Sequence, residues 1–192
     1  MIIAMVNAKG GVGKTTSTIL LGCAIAARGK SVEVWDSDPQ GSATEWALDA
    51  AENGEALPFP VSTVNKINLV RGEGHSDVVI IDTPPGNAGV IQAAIDRADV
   101  IIIPTIPSPL DMKRVWSTLD VAAQKPAAVL LTSVEPHTTL VDDFKTVFQD
   151  EDVFCFTTEI PKRQAIRKVV GMSPQEFFGY DKLFTELMEV LA

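Results

Sequence analysis

The chain has 192 residues, 46% of them hydrophobic, and a net charge of −9 from 16 Lys and Arg against 25 Asp and Glu. That hydrophobic share excludes wholesale disorder, and the acidic balance argues against a surface that binds polyanions everywhere, leaving room only for a local basic patch. Two cysteines, Cys23 and Cys155, are too few for a disulfide framework or a four-thiolate zinc site. No apolar run approaches the ~20 residues that span a bilayer. The opening residues lack the basic flank and cleavage site of a signal peptide, so a cytoplasmic setting is expected.

Short apolar runs at 2–6, 32–35, 78–81, 100–103, 129–131 and 153–156 alternate with helical patterns at 14–28, 43–52, 88–97, 110–124, 140–149, 163–170 and 180–191. Several of the runs are apolar throughout, the mark of strands buried on both faces of a parallel sheet. The alternation predicts an α/β fold, a mostly parallel sheet with helices on both faces. Residues 53–62, with Pro58 and Pro60, read as a surface loop. With no internal repeat and no long linker, residues 1–192 are expected to form a single domain without an N-terminal helix-turn-helix, because the first strand starts at Ile2.

The first strand leads into Lys9-Gly10-Gly11-Val12-Gly13-Lys14-Thr15-Thr16, which opens the first helix. Glycines let backbone N–H groups converge on an anion, and the helix N-terminus adds the positive end of its dipole. Lys14 supplies a point charge for β- and γ-phosphates, and the Thr15 hydroxyl is placed to ligate Mg²⁺. The pattern G-x-x-x-x-G-K-[ST] is missed at its first position, where Ala8 stands, and Lys9 is a second lysine at the start of the loop. Strand, loop and helix in this order predict a P-loop NTPase. The second strand ends in Asp36-Ser37-Asp38-Pro39-Gln40, two carboxylates on the rim where open α/β sheets bind ligands. Either can face the phosphates; an Asp that merely starts a turn before proline is the plainer reading. Asp82 ends the 78–81 run, where a carboxylate can hold a water on magnesium.

These motifs, with Ile80-Ile81-Asp82-Thr83-Pro84-Pro85-Gly86, Pro104 and Pro107-Ser108-Pro109-Leu110-Asp111, resemble the deviant Walker A, A′ and Walker B motifs of the ParA/MinD ATPases, especially the small ParF-like partition proteins. The resemblance implies ATP and Mg²⁺ as ligands, held around Lys9, Gly10, Gly11, Val12, Gly13, Lys14, Thr15 and Thr16, with Thr16 near the α-phosphate. Lys9 would reach across an ATP-bound homodimer to the phosphates of a second copy, and Asp38 would orient or activate the attacking water beside Lys14. Thr15 and Asp82 would hold the magnesium site, with Asp36 supporting it. A lysine delivers charge without the bidentate fork of an arginine finger, so hydrolysis is expected to be slow. The function implied is a Mg-dependent ATPase acting as a DNA partition or segregation switch on the nucleoid, stimulated by a ParB-like or other adaptor.

An output is also sought in the residues. Lys162, Arg163, Arg167 and Lys168 form a basic island in 161–170, and Arg163 and Arg167 are spaced to share a helix face. Doubled in a dimer, they would bind DNA without sequence preference; a solvated helix face or a nucleotide contact are the other readings. In the last helix Asp181, Glu186 and Glu189 outnumber Lys182 and would be repelled by anionic lipid, so no membrane partner is expected. Its Leu183, Leu187, Val190 and Leu191 read as core packing. Lys113 and Arg114 are candidate partner or dimer contacts, or simply an exposed helix start. Cys23 reads as a small buried hydrophobe, Trp35, Trp46 and Trp116 as core or interface, and His75 and His137 lack metal-ligand spacing. Two rival functions use the same phosphate loop. One is a ParA-like ATPase that positions a non-DNA cargo, cell-division or polysaccharide machinery; the other is a dethiobiotin-synthetase-like ATP-dependent enzyme, which has no need of Lys9.

Overall fold

Six strands, all parallel, form one sheet in the order β3-β2-β4-β1-β5-β6. In chain order the elements are β1 (Ile2–Met5), α1 (Lys14–Ala26), β2 (Val32–Asp36), α2 (Ser42–Glu52), β3 (Val61–Thr63), α3 (Lys66–Arg71), β4 (Val78–Asp82), α4 (Ala88–Arg97), β5 (Val100–Thr105), α5 (Pro109–Ala122), β6 (Ala127–Leu131), α6 (Leu140–Asp150), α7 (Gln164–Lys168) and α8 (Tyr180–Val190). The computed structural model describes residues 1–136 and 140–191; His137 lies outside them.

The central strands β4 and β5 are buried at every position, as unbroken apolar runs require when helices cover both faces. On one face α1 and α8 pack over Ile3, Met5, Ile80 and Ile102; on the other Ile91, Val115 and Phe144 cover Ala4, Ile81 and Ile103. The right-handed crossovers bring the C-terminal ends of β1, β2, β4 and β5 to one rim, so the loops that follow them meet there.

Three local expectations change. The 53–62 stretch is not all surface: Phe59 is buried against α1, and Val61–Thr63 pairs with β2 as an edge strand too short and polar to register as an apolar run. The run 153–156 is not a strand. It meets β6 through one bridge, Val129 with Cys155, and then leaves the ladder, because the Glu186 carboxylate takes the amides of Thr157 and Thr158 at 2.6 and 3.0 Å. In α8 the buried face is Tyr180, Leu183, Phe184 and Leu187, whereas Val190 and Leu191 are exposed. Arg28, just past the end of α1, donates to the Asp181 carbonyl and the Thr185 hydroxyl on the first half of α8.

Helix α1 tolerates no side chain at Gly22, where an added Cβ would lie 2.8 Å from the Phe59 ring. Gly22→Ala is expected to cost about 2 kcal/mol of stability in urea unfolding. In a Phe59→Ala background the same change should cost almost nothing; equal losses in both backgrounds would show that the ring is not the obstacle.

Candidate functional site

The phosphate loop leaves β1 at the middle of the sheet and is tied down on both sides. Asn7, fully buried, donates to the Pro104 carbonyl at 2.9 Å and accepts the Lys9 amide at 2.9 Å. On the far side, the Thr132 hydroxyl donates to the Val12 carbonyl at 2.8 Å. Gly13 caps α1 at φ 92°, a conformation that a residue with a Cβ adopts only under strain, and provides no side-chain cap. The first amides of α1 are therefore left for a ligand. No atom within 4 Å would obstruct a Cβ at Gly11, so open space lies above the loop.

Lys14, Thr15 and Asp82 meet beneath the loop. The Lys14 ammonium is buried and donates to the Lys9 carbonyl at 2.9 Å. Burial pulls its pKa below the ordinary lysine value, while the Asp82 and Asp38 carboxylates pull it back up. Asp82, 1% exposed, accepts from the Thr15 hydroxyl at 2.7 Å and from Thr18 at 3.3 Å. Burial, opposed by the Thr15 hydrogen bond and reinforced by neighbouring Asp36, pushes its carboxyl up to about 7. Such a carboxylate fits a divalent cation, whose charge would offset what burial and Asp36 make costly.

The A′ segment forms the opposite wall. Asp36 accepts the Thr44 amide and hydroxyl at 2.9 and 2.7 Å on one oxygen and the Asp38 amide at 3.2 Å on the other. Asp36 thus shapes the turn and the start of α2 by hydrogen bonding. Asp38 stands half-buried, accepts the Gln40 amide at 2.9 Å, and lines a cleft of about 650 Å³ with Gly10, Gly11, Gly13, Lys14, Thr15 and Thr16. Trp46 forms part of the same wall, and its indole N–H donates to the Met172 carbonyl at 2.8 Å.

Lys9 turns away from this cleft. Its ammonium pairs with the buried Asp111 at 2.7 Å, and Asp111 also accepts the Ser108 hydroxyl at 2.6 Å while Ser108 caps α5. Burial works against the charge of Asp111, but the hydrogen bonds from Lys9 and Ser108 outweigh it and hold the carboxyl below its ordinary value. Ser108-Pro109-Leu110-Asp111 is legible as a capping motif; a partner 102 residues upstream is not.

The basic island is arranged differently from the expected helix face. Helix α7 is only five residues long, with Arg163 as its extended N-cap, so Arg163 and Arg167 do not share a helical face. All four residues are exposed: Lys162 pairs with Glu135, and Arg163 lies 4.0 Å from Glu176. Arg167, with Lys162 and Arg163, lines a cavity of about 190 Å³ that also touches Gly11, Gly13, Thr16 and Tyr180, whereas Lys168 does not. Lys113 is exposed and Arg114 half-buried on α5, next to Asp111. Cys23 is buried, which pushes its thiol up to about 12.

The raised pKa of Asp82 sets a direction for stability. The folded carboxyl holds its proton to about pH 7 and the unfolded one only to about 4, so the ligand-free fold loses stability as pH rises between them. Asp82→Asn removes that loss. Near pH 8 the ligand-free variant is expected to exceed wild type by about 2 kcal/mol in urea unfolding, with the gap closing below about pH 4. Parallel pH profiles would contradict the burial of a charge at Asp82.

Comparison with known proteins agrees with this geometry. Residues 3–172 match the family described as CobQ/CobB/MinD/ParA nucleotide binding domain. The maintenance of carboxysome distribution protein A of Gloeobacter kilaueensis is 38% identical over 71% of this chain and 64% of its own length, just under two thirds. Its counterpart in Halothiobacillus neapolitanus is 30% identical over 88% of this chain and 82% of its own. Among solved structures, cobyrinic acid a,c-diamide synthase from Mycobacterium smegmatis, with bound ATP analogue and magnesium, superposes with a TM-score of 0.79 over 99% of this chain and 94% of that one, at 20% identity. That degree of identity speaks for the fold alone. With a match over 170 of its 192 residues (3–172), the chain is a member of the CobQ/CobB/MinD/ParA nucleotide-binding family.

Proposed function

We propose that the chain is a Mg²⁺-dependent ATPase of the ParA/MinD type that works as a positioning switch, an ATP-loaded homodimer that binds DNA without sequence preference and releases it after slow hydrolysis. The observation that carries this reading is the position of Lys9. The loop has two lysines; Lys14 is buried in the cradle, and the Lys9 side chain sits 30% exposed, its ammonium paired among the described residues with Asp111. A lysine turned away from its own cradle, with a partly exposed side chain, is suited to charge outside its own protomer.

In this reading the amides of Gly10, Gly11, Gly13 and Thr15 and the Lys14 ammonium bind the phosphates, with Thr16 beneath them. Magnesium, when bound, neutralises charge across the β- and γ-phosphates, and the Thr15 hydroxyl and Asp82 are the groups that would hold it and its waters. Asp38 orients the attacking water from the facing wall, and Asp36 fixes Asp38 through its amide. Lys9 leaves Asp111 for the phosphates of a second copy, where added positive charge favours the charge that develops in the transition state.

The cargo is either DNA, as in a partition system, or a body carried over it. The two carboxysome-distribution relatives favour a cargo other than DNA itself. Among the described residues no helix is long and apolar enough to cross a membrane. The basic side chains of Lys162, Arg163, Arg167 and Lys168 are the candidate DNA contacts, with Lys162 and Arg167 both lining the two cavities that reach Gly11 of the phosphate loop.

The output is tested with Asp38→Ala, chosen to hold ATP without turnover. Fluorescence anisotropy on random-sequence duplex is expected to show binding with ATP–Mg²⁺ and not with ADP–Mg²⁺, weakening steeply with salt. Arg167→Ala should lower both the affinity and the salt dependence. Dimer formation by light scattering without DNA binding in either state would remove DNA from the function and leave an ATPase acting on a protein surface. Lys9→Ala should keep ATP binding within about threefold of wild type and fall at least tenfold in turnover; unchanged turnover would exclude Lys9 from the reaction.

A further inference from the structure

We propose that Thr132, at the end of β6, is a positioning residue for the phosphate loop, aiming the Gly13 amide at the bound phosphates through its hydrogen bond to the preceding carbonyl. The proposal rests on the reading of 9–16 as a nucleotide loop and identifies what holds its backbone donors in place.

Thr132 is 3% exposed, and its own amide is spent on the Thr105 carbonyl at 2.9 Å, which fixes its backbone to β5. Its hydroxyl reaches across the loop to the Val12 carbonyl at 2.8 Å, a contact between residues 120 positions apart. The peptide joining Val12 to Gly13 is planar and trans, so a carbonyl drawn to one side sends the following N–H to the other. The sheet order shows which sides these are. β6 lies two strands from β1 in one direction, and β2, whose following turn carries Asp38, lies two strands away in the other. Anchoring Val12 C=O on Thr132 therefore turns Gly13 N–H toward the cleft that Gly13 lines with Lys14, Thr15 and Asp38.

A free glycine peptide rotates easily, and at φ 92° Gly13 has no Cβ to limit it. Without the Thr132 hydroxyl the peptide can flip, presenting a carbonyl oxygen to an anion and losing a donor. A Cβ on Gly13 would stand 4.0 Å from the Thr132 methyl group, so the side chain that bonds the Val12 carbonyl also lies beside Gly13. Ser133, next in the chain, takes φ 51°, a left-handed turn that carries the backbone away from the sheet and along the cavity beside Gly11.

Calorimetric titration with Mg–ATP and with Mg–tripolyphosphate, which has no base or ribose, separates this role from general packing. Thr132→Val keeps the shape and removes the hydroxyl; it is expected to weaken both ligands by the same factor, about tenfold. Thr132→Ser restores the hydroxyl and should return both to within about threefold of wild type. Unchanged affinity in Thr132→Val, a loss confined to ATP, or a Thr132→Ser protein as weak as Thr132→Val would each overturn the proposal. Wild type that binds neither ligand would overturn the nucleotide reading itself, and the proposal with it. Amide NMR of wild type needs no variant to fold: the Gly13 proton is expected to move downfield on addition of Mg–ATP, and a Gly13 resonance that stays in place while other loop amides move would refute the assignment.

Discussion

Three loops at the rim of the sheet bear on one buried carboxylate. Asp82 ends β4 next to β1, its side chain accepts from Thr15 and Thr18 of α1, and its carbonyl accepts the Ser37 amide and hydroxyl at 3.0 and 2.6 Å. The same residue therefore fixes the depth of the phosphate helix and the path of the A′ turn. Its carboxyl is only 1% open to water and lies next to Asp36 on the neighbouring strand. The ligand-free protein thus keeps at its centre an acid whose charge a bound cation would relieve.

Around that centre the cleft is assembled from chain segments that are rigid for different reasons. The phosphate loop is tied by Asn7 and Thr132, the A′ turn by Asp36, and α2 by Trp46 and Asn53, whose side chains donate to the carbonyls of Met172 and Gly171. These last contacts join the wall bearing Asp38 to the segment just after α7. Lys9 is the exception. It is fastened by a single ion pair to Asp111, and exchanging that carboxylate for phosphate oxygens conserves charge pairing while changing the partner.

Much of this was legible in the chain because parallel sheets write their interior as unbroken apolar runs, and because glycine, lysine and threonine at fixed spacing have few structural excuses. Val78 to Asp82 identified both a central strand and the acid at its tip. What escaped the reading was long-range pairing. Nothing near Thr132 in sequence announces that its hydroxyl meets Val12, and nothing near Asp111 announces its pairing with Lys9. Edge elements escaped for the opposite reason: Val61–Thr63 and Lys66–Arg71 are too short to establish a period, and exist because β2 and α4 offer them partners. The basic island stands where the sequence places it, but Arg163 is the extended N-cap of α7, so it and Arg167 meet along a cavity and not on a helix face.

The account depends first on the loop binding a nucleoside triphosphate through Lys14. Calorimetric titration of ATP in the presence and absence of Mg²⁺, on wild type and on Lys14→Ala, measures this directly. One saturable site per chain is predicted for wild type, strengthened by Mg²⁺ and weakened by at least a hundredfold, roughly 3 kcal/mol, in a folded Lys14→Ala protein. Equal affinities in the two proteins would contradict it, as would a wild-type chain that takes up no ATP.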